Sequence, residues 1–304
     1  MNFATTYPMV THPYDPEFLT GDTIARFARA AEAAGFGGIG FTDHPAPSDR
    51  WLKAGGHDAL DPFVAMTWAA AATNTIRLIP NVVVLPYRNP FIVAKAGATL
   101  DLLSGGRFTL SAGSGYLKSE FAALGVDHAA RNAIFDESLD ILRAIWTGDD
   151  VTFEGEHFSA RGITAHPRPS TCPPIWIGGN SGRARERVAA KGDGWAPFPA
   201  PRELAATSRT AGLSTIDELA VALDDLQTRL AAHGRTLGDV DVTFACRAGG
   251  DPFSDSFDAD AHLDGIRGLA ALGVTWLQVG VPGTGAAEAV DALARYGELV
   301  IARL

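Results

Sequence analysis

Short apolar runs rich in β-branched residues alternate along the chain with longer stretches whose apolar residues recur every three or four positions. The first pattern is that of a buried strand, the second that of a helix with one face on a core. Strands are expected at 3–7, 38–42, 76–85, 107–112, 174–177, 193–196, 240–246 and 274–279. Helices are expected at 20–34, 61–73, 90–103, 131–146, 181–191, 216–233, 257–272 and 286–302. The punctuation agrees: Thr20 or Asp22 opens the first helix, Gly35 closes it, and Pro90 stands in a first turn, where a missing N–H costs nothing. In the helix at 131–146, Ile134, Leu139, Leu142 and Ile145 are available for one face.

Strand and helix alternating eight times predict an α/β fold, a (β/α)8 TIM barrel, with residues 1–304 in one domain. An open doubly wound sheet is the competing arrangement, and the lack of a GxGxxG run after the first strand counts against it. Residues 149–173 break the rhythm, where VTFEGEHF has the character of a small hairpin inserted before the strand at 174–177. The longest strand-to-helix loops, 45–59 and 197–215, belong on the face formed by the strands' carboxyl ends and are candidates for substrate walls or lids.

Composition narrows the partners. A chain of 304 residues with 46% hydrophobic content can bury one large core. A formal charge of −10 without any basic stripe argues against nucleic acid or an anionic membrane, leaving a small-molecule substrate. Cys172 and Cys246 are the two cysteines, far apart and without nearby ligand spacing, so neither a disulfide framework nor a metal site is expected. The first residues lack a basic segment followed by an apolar one, and no run approaches the ~18 apolar residues of a membrane span, so a cytoplasmic location is expected.

Four constellations stand at strand ends. IGFTDHP closes the second strand on Asp43 and His44, where an imidazole can carry a proton near neutral pH and a carboxylate can orient a ring or ligand N–H; a buried histidine holding a loop is the alternative. Asn81, followed by Val82, interrupts an apolar strand and reads as a bulge or a core hydrogen bond. Gly113, Ser114 and Gly115 follow the strand at 107–112 and let backbone approach a flat or anionic ligand, or simply make a tight turn; Tyr116 and Glu120 lie one turn apart beyond them. Gly178, Gly179, Asn180 and Ser181 run into a helix whose free N–H groups suit a phosphate or carboxylate, with Arg183 available to add charge, or into an ordinary Asn or Ser cap. Arg187, four residues on, reads as a solvated helix arginine.

Together IGFTDHP (39–45), the run from DPFVAMTW to SEFAALG (61–125) and PPIWIGGNSGRARERVAAKGDGWAP (173–197) resemble the luciferase-like monooxygenase superfamily, in its branch of coenzyme F420-dependent oxidoreductases. LPYRNP (85–90) through LDLLSGGR (100–107) is the most specific part, and the last hundred residues match in rhythm only. The resemblance implies a barrel holding a deazaflavin, or alternatively FMN, with its ring in the mouth. It assigns Asp43 and His44 to the ring and the reacting substrate, and Asn81–Val82 to a bulge that often carries a non-prolyl cis peptide. Gly113, Ser114 and Gly115 match the loop beside the cofactor side chain, and Gly178 to Ser181 the phosphate loop. Tyr116 stands where relatives often have Trp, and the glycine stop at 101–107 looks architectural. A homodimer through early helices is implied as well, and the alanine-rich helix at 62–73 suits it.

The reading that follows is an F420-dependent oxidoreductase moving a hydride between the deazaflavin C5 and a small organic substrate, with His44 as acid or base and Asp43 orienting. A reduced-FMN monooxygenase using O2 is the alternative, and a non-catalytic flavin-binding barrel the third possibility.

Overall fold

The computed structural model describes residues 1–201, 205 and 210–304. Its strands are β1 (Asn2–Thr6), β2 (Gly38–Gly40), β3 (Arg77–Leu78), β4 (Val83–Val84), β5 (Leu110–Gly113), β6 (Val151–Glu154), β7 (Ser159–Ile163), β8 (Ile175–Gly178), β9 (Gly194–Ala196), β10 (Asp241–Phe244) and β11 (Trp276–Val279). Nine of these form one sheet in the order β3, β2, β1, β11, β10, β9, β8, β5, β4, and every pairing in it is parallel. Parallel neighbours need crossovers. These carry α1 (Gly21–Ala33), α3 (Pro62–Ala72), α4 (Pro90–Ser104), α6 (Arg131–Thr147), α7 (Gly182–Lys191), α8 (Ile216–Ala232), α9 (Ala259–Ala271) and α10 (Ala286–Leu299).

The outermost strands β3 and β4 are successive pieces of chain, and both lie along the segment 108–113. Leu78 forms a parallel bridge with Phe108, and Val83 pairs with Ala112. The sheet therefore curls until its two ends meet along this segment, β3 just before β5 and β4 on β5 itself. The strand expected at 76–85 is broken between these pieces. On the β2 side the ladder runs through the break, with Ile79 N–H on Ile39 O at 2.8 Å and Asn81 N–H on Phe41 O at 2.9 Å. On the other side it is interrupted at the Asn81–Val82 peptide, which is cis.

Local chemistry fixes the helix starts. Thr20 caps α1 on Thr23 N–H, Asp61 caps α3 on Phe63 and Val64 N–H, Asn89 caps α4 ahead of Pro90, and Ser181 caps α7. Thr215 and Glu218 form a reciprocal capping box on α8. The loop at 45–59 is not wholly irregular: α2 (Asp49–Lys53) lies within it, capped by Ser48. A further short helix, α5 (Lys118–Ala123), follows β5. Strands β6 and β7 pair antiparallel, and the Glu137 carboxylate accepts the N–H groups of Glu156, His157 and Phe158 at their turn. The expected loop at 197–215 falls partly outside the described residues, at 202–204 and 206–209.

One contiguous hydrophobic cluster runs from Phe3 to Val300 between the helices and the sheet's outer face. A second, smaller one fills the inside of the curl with Ala4, Ile79, Trp176 and Trp276. Side chains alternate along a strand, so the next inward positions toward the carboxyl ends are Thr6, Asn81, Gly178 and Gln278. The apolar plug thus ends beneath a polar rim.

Candidate active site

His44 follows β2, and Glu120 lies in α5 after β5. The sheet brings them together: His44 Nδ1 stands 3.1 Å from Glu120 Oε2. Glu120 has no exposed surface at all. Its carboxylate also accepts the Tyr87 hydroxyl at 2.9 Å and the Ala46 N–H at 3.2 Å. A carboxylate on Nδ1 holds the ring proton there, so Nε2 is the nitrogen left to exchange a proton with a bound molecule. Burial, with the neighbouring Glu120 charge, pushes the Tyr87 hydroxyl well above the ordinary phenol range, so it stays a donor.

Around His44 stand three further rings. Trp51 is tilted against it at 4.5 Å, His57 meets it edge-on at 4.9 Å, and Tyr116 edge-on at 6.3 Å. Burial, with the neighbouring Glu120 charge, raises the Tyr116 hydroxyl to about 12. Burial also lowers His57 below the ordinary imidazole value, against the opposing pull of its bond to the Asp58 backbone.

Asp43 is turned away from this group of rings. Arg88 grips it bidentately, Nη1 donating to Oδ2 at 2.6 Å and Nη2 to Oδ1 at 2.8 Å, and Val84 N–H donates to Oδ2 at 2.8 Å. Arg88 also reaches the Asp61 cap of α3 at 3.1 Å. Asp43 is therefore spent on joining β2, β4 and α3, and that junction aims the adjacent His44.

At the rim, Asn81 Nδ2 and Gln278 Nε2 both donate to Thr6 Oγ1, at 3.0 and 2.8 Å. Gly113 and Gly178 accommodate the bulge: a Cβ at either would stand 2.8 or 3.3 Å from the side chain of Val82. Gly115, at φ +73°, turns the chain out of β5, and Ser114 beside it is half-buried.

The loop after β8 divides its labour. Asn180 is buried, and its side chain holds Phe198 O, Phe198 N–H and Ala211 O, all within 3.1 Å. Gly179 O accepts the Trp195 indole N–H at 2.9 Å. Ser181 Oγ accepts Ala184 N–H at 3.2 Å, which makes it the α7 cap. The Asn180 side chain is thus committed to loop closure. The backbone N–H groups of Gly182 and Arg183, in the first turn of a ten-residue helix, are the donors with no helical carbonyl to take. Arg183 is exposed beside them. Arg187 is not the solvated side chain its spacing implied: it is buried, doubly bonded to Asp136 and lies 4.6 Å over the Phe135 ring.

A polar rim at a curled sheet's carboxyl end, an imidazole poised on a buried carboxylate and an open helix N-terminus fit a flat ring bearing a phosphate. Among the described residues, no group of three or more His, Cys, Asp or Glu is placed to hold a metal ion, and no helix is long and apolar enough to cross a membrane.

Residues 1–249 match the luciferase-like monooxygenase family. The chain belongs to that family. This luciferase-like chain is 31% identical over 266 residues, 85% of its length and 71% of the relative's, to an F420-dependent glucose-6-phosphate dehydrogenase of Beutenbergia cavernae. Monooxygenase RslO1 from Streptomyces bottropensis superposes with a TM-score of 0.80 at 19% identity, over 100% of this chain and 99% of that one. The oxygenating constituent of 3,6-diketocamphane monooxygenase from Pseudomonas putida, solved with FMN, superposes with a TM-score of 0.76 at 16% identity, over 100% and 99%. The luciferase-like chain is accordingly an oxidoreductase of this class.

Proposed function

We propose that this oxidoreductase uses a deazaflavin of the coenzyme F420 type, passing a hydride between its ring and a small organic substrate while His44 gives or takes the accompanying proton. The observation that carries the reading is His44 Nδ1 held on the fully buried Glu120, which leaves Nε2 as the proton-exchanging atom. The relative at 31% identity, named for F420, favours that cofactor over FMN. When bound, the deazaflavin supplies two-electron hydride chemistry at C5.

The chain's own residues do the rest. The N–H groups of Gly182 and Arg183 would hold the phosphate, aided by the helix dipole. The amides of Asn81 and Gln278, fixed on Thr6, would meet the polar edge of the ring, and Val82 would lie beneath it. Glu120 and Tyr87 keep the His44 proton on Nδ1, and the Asp43–Arg88 junction sets the ring's direction. The exposed apolar faces of α3 and α4 support a homodimer as well.

The test is a paired titration of the purified protein with oxidised F420 and with FMN in one buffer, repeated on His44→Ala. The expected result is tighter F420 binding, unchanged in the variant, with turnover lowered by about a hundredfold or more. A variant that keeps both binding and turnover removes His44 from the mechanism. The second reading, a reduced-FMN monooxygenase, draws on the likeness to the diketocamphane enzyme. FMN preference with oxygen uptake matching substrate loss would establish it.

A further inference from the structure

Residues 51–58 form a wall beside His44 that the proton-transfer role does not require. Trp51 and His57 lie 5.6 Å apart and both touch the His44 ring. Neither is free to wander. Trp51 rests against Gly56, whose missing Cβ makes room for the indole, and lies tilted on the His44 ring at 4.5 Å. His57 Nδ1 lies 2.9 Å from Asp58 O, and the Asp58 carboxylate is held by His12 Nδ1 at 2.8 Å. A carbonyl can only accept, so the His57 proton sits on Nδ1 and Nε2 presents a lone pair.

The charges around the wall point the same way. Glu120 is a buried carboxylate, Tyr87 and Tyr116 are held as neutral phenols, and burial disfavours a positive charge on His57. The Arg88 guanidinium is committed to Asp43 and Asp61. A phosphate ester against these rings would lie close to the buried Glu120 charge, whereas an uncharged molecule would meet an aromatic surface and two imidazole acceptors, His44 Nε2 and His57 Nε2.

We propose that Trp51 and His57 are specificity-determining residues that select an uncharged, hydroxyl-bearing substrate, Trp51 covering its carbon skeleton and His57 Nε2 accepting a hydrogen bond from it. This rests on the oxidoreductase reading above and names the substrate class for the same site. It also separates this chain from what the name of its Beutenbergia relative states for that protein, a sugar phosphate.

Three probes differing in one group test it: cyclohexanol, methoxycyclohexane, which keeps the oxygen and loses the donor, and cyclohexyl phosphate. Binding is read by Trp fluorescence and calorimetry on the isolated protein, so no turnover is needed. The alcohol is expected to bind about tenfold tighter than the ether, the worth of roughly one to two hydrogen bonds, and the phosphate more weakly than either. In His57→Phe the alcohol-over-ether preference should fall by about threefold or more, and His57→Gln, which restores an acceptor, should recover it. Near-UV circular dichroism checks that both variants fold. An unchanged preference in His57→Phe, a phosphate that binds best, or no saturable alcohol binding would each overturn the proposal. F420 titrated into the same samples separates the failures: loss of the preference with F420 still bound condemns the wall alone, and absence of F420 binding condemns the cofactor assignment alone.

Discussion

A carboxylate with no exposed surface depends on the donors it collects, and Glu120 collects three, from His44, Tyr87 and Ala46. Glu120→Gln keeps the shape but turns an NH2 toward one of them, so a buried donor is left facing a donor. The expected outcome is a turnover lowered by about a hundredfold, the usual worth of a positioned proton carrier, with F420 affinity within about threefold of wild type. Steady-state kinetics beside a cofactor titration would check it, and full turnover in the variant would show that Glu120 only packs. A different buried histidine tests stability. His262 donates from Nδ1 to Ala248 O at 2.8 Å and accepts the Tyr296 hydroxyl on Nε2 at 3.0 Å, with Cys246 and Phe257 also against it. Burial lowers its pKa. A lowered folded value means that the neutral ring is favoured in the native state. Its contribution is complete above the unfolded value near 6.5 and is lost as pH falls below it toward the folded value. Urea midpoints should therefore fall between pH 7 and 5 in wild type and fall less in His262→Gln; parallel curves would remove His262 from that loss.

Among the elements, the junction of β2, β4 and α3 is the one that aims the site, and it is held by an ion pair with Asp43 nearly out of solvent. Removing one partner of such a pair leaves a buried charge alone, at a cost of about 3–5 kcal/mol. Arg88→Met should lose about that much. Asp43→Asn with Arg88→Met should recover part of it, a coupling that denaturant titrations of both singles and the double variant would read. Equal, additive losses would mean that the pair is not coupled. The second arm, to the half-exposed Asp61, adds little.

The same junction shows how far the chain could be read before it was folded. Helices and caps were legible because periodicity, Thr20, Pro90 and Ser181 are local signals, whereas the Asn89 cap on α4 emerged only from the structure. Asp43, His44 and the glycine pairs were legible as strand-end features, and His44 is indeed brought into a polar group. What Asp43 does was not legible, since its partner Arg88 lies forty-five positions away and only the sheet unites them. Trp51 and His57 looked like ordinary residues of a long loop for the same reason. Glu120 had one hint, its spacing from Tyr116, and that hint says nothing of His44. The break after Leu78 was hidden because a polar Asn in an apolar run marks an irregularity without giving its form.

In the molecule as a whole, the outward faces of α3 and α4 carry large apolar side chains where they meet solvent. The two helices pack side by side. Val64 and Trp68 on α3 are 65% and 52% exposed, and Ile92 and Leu103 on α4 are 66% and 74% exposed. Single exposed apolar residues are ordinary, but four large ones on adjoining helices make a patch of the kind that marks an interface. Trp68 is also pre-set as an anchor: a Cβ at Gly21 would stand 2.7 Å from its ring, so the indole is laid down on the start of α1. Two chains of −10 repel over their general surfaces, whereas the exposed side of α4 between Ile92 and Leu103 carries Lys95 and no carboxylate, so it adds nothing to that repulsion. We propose that this face joins two copies of the chain. Sedimentation velocity should give twice the 32.0 kDa chain mass, and placing Glu at both Trp68 and Ile92 should return the monomer with its F420 affinity unchanged. A wild-type protein that stays monomeric at about 50 µM, a concentration at which an interface of standard size is populated, would rule the dimer out.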